Sequence, residues 1–163
     1  MTTASAPGFR RDSSTVALAA MGVVAVIAGG LVAAVTDPLE VYRGSWMAAY
    51  LVLVVGVAQV SMAIARWLWP TERSTITLGW AQLVLWNSGN ATIIAGTLLA
   101  SPCAVIAGSV LLVAAVAIAL MVTRWRRQRG IRGLWLFVFR AFMVVLVVSI
   151  PVGVILSTLR HSA

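Results

Sequence analysis

The chain has 163 residues, 61% of them hydrophobic and only 10% charged, with a formal net charge of +8. Soluble domains carry about 25% charged residues, so this composition excludes water as the solvent for most of the chain and leaves room for about five apolar segments of roughly 20 residues each. All of the basic residues are arginines, placed mainly between those segments, which points to membrane flanks and anionic headgroups and away from nucleic acid.

Residues Met1 to Asp12 are small and polar and end in Arg10 and Arg11, within an expected cytoplasmic N-terminal segment over 1–14. Ser13 and Ser14 can cap a first helix over about 15–35. Its apolar run exceeds the 7–15 residues of a signal h-region, so it is expected to stay as an anchor. Asp37-Pro38 interrupts the helical pattern, since proline lacks an amide hydrogen. A second helix is expected over about 45–69, with Trp46 at one edge and Trp67 and Trp69 at the other, where indoles settle at membrane interfaces. Pro70, Glu72 and Arg73 make a loop, and a third helix comes next over about 75–99. Ser101-Pro102 offers a cap and a first-turn proline, so a tight hairpin leads into a fourth helix over about 103–122.

The segment Arg124, Arg126, Arg127, Arg129 and Arg132 is the most basic part of the chain. A fifth helix is expected over about 134–156, followed by a tail at 159–163 with Arg160 and His161. Placing the arginine-rich loop in the cytoplasm orients the rest by alternation. The expectation is an all-α integral membrane protein, one domain over 15–158, with five transmembrane helices, its N-terminus inside and its C-terminus outside. The Arg66/Arg73 loop falls inside, and Arg43 is the one basic loop residue outside. Arginine without lysine in an Ala/Val/Gly-rich chain resembles the usage of GC-rich bacteria, so a bacterial plasma membrane is the expected location.

Helix three carries the most informative polar residues. Gln82, Trp86 and Asn90 lie four apart and share a face, with Asn87 beside them. Ser88, Thr92, Gly96 and Ala100 form a small-residue ridge on nearly the opposite face, so this helix should have protein on both sides. Joined by Gln59 of helix two, the amides could line a polar cavity or could hydrogen-bond between helices and set register. Trp86-Asn87-Ser88-Gly89-Asn90 resembles the asparagine-and-glycine helices of haem-copper oxidase-like membrane proteins. The haem-ligand histidines of that family have no counterpart in any predicted helix, so the resemblance implies no cofactor here.

Arg140 stands about two turns into helix five, an intramembrane charge within about 9 Å of the interface at 1.5 Å per residue. It can snorkel, or complete a basic pocket with Arg124, Arg126, Arg127, Arg129 and Arg132 for an anionic lipid or an acidic partner. Pro151 frees the carbonyl of Val147 and should kink helix five. Small residues recur four apart as Ala25, Gly29 and Ala33, and Ala107, Ala115 and Ala119 share a face of helix four; both sets suit close helix approach.

No Asp, Glu or His falls within a predicted helix, and the single cysteine, Cys103, allows neither an internal disulfide nor a cysteine metal cluster. Acid–base, nucleophilic and metal-assisted catalysis all need groups that do not converge in this pattern, so neither an enzyme nor a cofactor is expected. The expected role is an accessory, assembly or scaffold subunit whose partners are other membrane subunits or copies of itself. Alternatives are a small oligomeric transporter or channel for a neutral or anionic solute, and an anionic-lipid-binding regulator.

Overall fold

A computed structural model describes residues 12–41, 43–68, 75–124 and 133–145. Five helices succeed one another along the chain, and no strand occurs among the described residues. They are α1 (Ser13–Thr36), α2 (Gly44–Leu68), α3 (Thr75–Leu98), α4 (Pro102–Arg124) and α5 (Gly133–Val145). Three meet the length and apolarity needed to cross a membrane: α1, α2 and the Pro102–Met121 part of α4. At 24 residues α3 is long enough as well, but its amides, hydroxyls and glycines dilute its hydropathy. The arginine-rich stretch beyond Arg124, the outer part of helix five with Pro151, and the two chain ends lie outside the described residues.

The start of α1 corrects the expected cap. Asp12, not Ser13 or Ser14, occupies the N-cap: its Oδ1 accepts the Ser14 amide at 3.2 Å and its Oδ2 the Ser14 hydroxyl at 2.7 Å. Carboxylates are favoured there because they meet unbonded amides at the positive end of the helix dipole.

The other end of α1 closes in a turn after Thr36, its last helical residue, directly before Asp37-Pro38. The chain winds on through Pro38, with the Leu39 amide on the Val35 carbonyl, and stops where Glu40 enters the left-handed region at φ 48°. The Val41 amide then reaches back to the Thr36 carbonyl and the Glu40 amide to that of Asp37, the paired bonds of a Schellman ending. α3 stops in the same way: Ala100 has φ 51° and the Ser101 amide returns to the Gly96 carbonyl at 2.8 Å.

Close packing explains most of the small residues. A Cβ on Gly22 would stand 3.0 Å from the Gly56 carbonyl oxygen, and one on Gly56 would stand 3.0 Å from the Gly22 oxygen. The backbones of α1 and α2 therefore touch reciprocally, with Gly29 against Ala48 and Val52 one level further along. α3 and α4 touch through Gly89 on the Gly108 carbonyl and Gly96 on Ala104 and Val105. The expected ridge is thus shifted: Gly89, Ile93 and Gly96 face α4, while Ser88 is exposed and its hydroxyl bonds the Val84 carbonyl of its own helix. Ala33 and Ala107 are likewise exposed, so neither belongs to a packed stripe.

The core gathers apolar side chains from α2, α3, α4 and α5 around Trp86, which is fully buried. Leu136, Phe139 and Met143, spaced three and four apart, turn one face of α5 into that core. The outer faces of all five helices are apolar and exposed, as with Ile27, Leu53, Val84, Val110 and Phe137. Such a surface is the reverse of a soluble protein's and fits a hydrocarbon solvent.

Candidate functional site: a buried polar column

Within α2, residues Tyr50–Val57 wind as a π-helix, eight residues long. Wider winding adds a residue to a turn and rotates the side chains beyond it about the helix axis. Here it leaves Gly56 and Val52 against α1 while Tyr50 and Val55 address α3. The sequence YLVLVVGV has no polar residue to announce this apart from Tyr50 itself.

Three contacts join α2 to α3 at successive levels. Nearest the Gly44 end, the Tyr50 hydroxyl donates to Asn90 Oδ1 at 2.9 Å, and Asn90 Nδ2 donates to the Trp86 carbonyl at 2.7 Å. In the middle, the Trp86 indole N–H donates to the Val55 carbonyl at 3.3 Å, inside the π-helical stretch. Nearest the Leu68 end, Arg66 closes on Gln82 with Nε at 3.0 Å and Nη2 at 2.8 Å, both to Oε1. Gln82 Nε2 in turn donates to Met62 Sδ at 3.0 Å.

Arg66 is the residue whose role the sequence reading misplaced. Counted there with the loop charges, it is only 9% exposed and turns inward from the last turn of α2. A cation suits that helix end, where unbonded carbonyls carry partial negative charge. Asp12 at the start of α1 adds a further attraction. The fully buried Ser14 lies beside it: a Cβ on Gly79 would meet Ser14 Oγ, and would stand 2.8 Å from Arg66 Nη1. Three helices thus meet around one guanidinium, and Gly79 leaves the room for it. The available signal was the spacing of Val55, Gln59, Met62 and Arg66, which keeps Arg66 on the stripe that meets α3, inside the Trp67 boundary.

The expected polar set is therefore placed unevenly. Gln82, Trp86 and Asn90 are buried on one face of α3, yet Gln82 and Asn90 serve different partners at different levels. Asn87 is half-buried and donates to the Leu83 carbonyl of its own helix at 2.8 Å. Gln59 is fully buried, and neither polar atom of its side chain has a hydrogen-bond partner. Arg140 is half-buried on α5. Arg124 closes α4, and Arg126, Arg127, Arg129 and Arg132 lie outside the described residues, so a joint basic pocket is not described.

At the opposite end Arg43 donates through Nη1 to the Thr97 carbonyl. That oxygen is one of the last carbonyls of α3, so the lone arginine of the first loop caps a helix terminus. An open groove of about 550 Å³ between α1 and α2 at the same end is lined by Gly29, Gly30, Ala33, Ala48 and Val52 with Thr36, Asp37 and Ser45 at its rim. Among the described residues no three His, Cys, Asp or Glu side chains converge to hold a metal ion. No protein-family model, curated protein or solved structure matches this chain.

Proposed function

We propose that this protein is a five-span plasma-membrane protein of bacterial type, N-terminus inside and C-terminus outside. Its role is that of a non-catalytic accessory, assembly or scaffold subunit of a larger membrane complex. The observation that carries this reading is that the polar groups buried between α2 and α3 are, apart from Gln59, engaged with one another. Arg66 with Gln82, Tyr50 with Asn90, and Trp86 with the Val55 carbonyl each join one helix to the next. Groups committed in this way fix rotation and height between helices. A permeation path needs polar groups left facing a lumen. Wide apolar outer faces on a small bundle then supply area against lipid and against other membrane subunits.

The topology rests on the arginine-rich loop and on α2 and α3 crossing in alternate directions, with α3 counted as a span because protein surrounds its amides. Gentle solubilisation of tagged protein from its own membranes, followed by mass spectrometry of what is retained, tests the role. A stoichiometric set of companion subunits is expected. A clean homo-oligomer would remove the subunit reading and shift attention to transport by the protein alone.

A further inference from the structure

Gln59 is fully buried with both ends of its amide unpartnered. It lies nine residues before Leu68, about 14 Å from that end of α2 at 1.5 Å per residue, which is near the middle of a hydrocarbon layer about 30 Å thick.

Register identifies its surroundings. On the same stripe of α2, Met62 accepts from Gln82 and Val55 accepts from the Trp86 indole. Gln59 stands between those two contacts, level with the turn of α3 that joins Gln82 to Trp86. On the α1 side, Gly22 meets Gly56 and Val60, which bracket Gln59 along the chain. At this level α1 therefore packs backbone to backbone against α2, which closes the site off on that side.

A primary amide in an apolar surrounding without hydrogen bonds is costly, and in a bilayer no bulk water offsets that cost. Gln82 and Asn90 escape it by bonding neighbours; Gln59 does not. A molecule that donates to Oε1 and accepts from Nε2 satisfies both ends at once. We propose that Gln59 holds an internal site for a small neutral hydrogen-bonding molecule, water, at the junction of α1, α2 and α3.

The chemistry selects this ligand class. An anion would need Arg66, which is two turns away and already closed on Gln82. A cation would need a carboxylate, and none lies within α1, α2 or α3. A larger polar solute would find a single amide to recognise it. Buried waters make about three hydrogen bonds to otherwise unsatisfied groups, and the Gln59 amide supplies an acceptor at Oε1 and a donor at Nε2.

Solid-state NMR of the full chain in lipid bilayers, with asparagine and glutamine side-chain amides labelled with nitrogen-15, reads the site directly. Magnetisation is transferred from water protons, and the build-up at each amide is followed. Asn90 is the internal control, since it is equally buried and its Nδ2 is bonded to the Trp86 carbonyl. The Gln59 signal is expected to build up several-fold faster than that of Asn90. Build-up no faster than Asn90 would overturn the proposal, because the amide would then be dry. Loss of the signal in Gln59→Met assigns it; should that variant not fold, sequential assignment of the wild-type chain serves instead.

Discussion

A guanidinium held inside a helical bundle is tolerated only when its donors and its partner's acceptor are satisfied together, and Arg66 with Gln82 shows how lopsided the consequences of breaking such a pair are. Removing the arginine leaves Gln82 Oε1 buried without a donor, which costs about 1–3 kcal/mol, whereas replacing both partners by apolar groups of similar shape can be nearly neutral. Arg66→Met is therefore expected to lower stability in an equilibrium unfolding assay in bicelles. The double variant Arg66→Met/Gln82→Leu should recover most of that loss; a double variant as weak as the sum of its parts would mean that the two residues are not coupled. Tyr50→Phe likewise leaves a buried acceptor, Asn90 Oδ1, without its donor, so it should also cost about 1–3 kcal/mol in the same assay, and no loss would mean that Asn90 is not held by Tyr50. Ala100 is a different case. Its φ of 51° lies where a Cβ is unfavourable, so Ala100→Gly should stabilise the chain by about 1 kcal/mol in the same assay.

At the scale of the helices, the decisive feature is how near two backbones come. Gly22 and Gly56 leave only van der Waals room between α1 and α2, and the atoms a new Cβ would meet include backbone. Backbone cannot rotate aside, so Gly22→Ala must push the helices apart and is expected to cost about 1–3 kcal/mol, as overpacking does. Gly30 is the control: a Cβ there meets nothing within 4 Å, and Gly30→Ala should leave stability unchanged or slightly raised. Equal losses for both would mean that the glycines act through the flexibility of α1 and not through its contact. The hairpin of α3 and α4 could be read from Ser101-Pro102, where proline takes the first position of α4. The π-helical stretch could not, since Tyr50–Val57 carries only the apolar alternatives common to any span. The winding is selected by what it aligns, the Val55 carbonyl with Trp86 and Tyr50 with Asn90.

For the whole molecule, the proposed topology makes a direct prediction: a reporter fused after Ala163 should be active only outside the cytoplasm, and one fused after Arg129 only inside. Two reporters on the same side would mean that one helix, α3 being the most polar, does not cross. The all-helical fold among the described residues, the five helices and the apolar length of three of them were legible in the sequence, because each depends on local apolar length, on proline and on where charge is tolerated. The buried face of α3 was legible too, since Gln82, Trp86 and Asn90 repeat at helical spacing. Which of those groups meet was decided only in three dimensions. A hydrogen bond depends on the relative height and rotation of two helices, and these are set by glycine contacts and helix winding contributed by residues far apart in the chain. Arg66 could be counted as a loop charge from its position near Pro70, and only the packing of α1, α2 and α3 turned it inward onto Gln82 and left Gln59 at their junction without a partner.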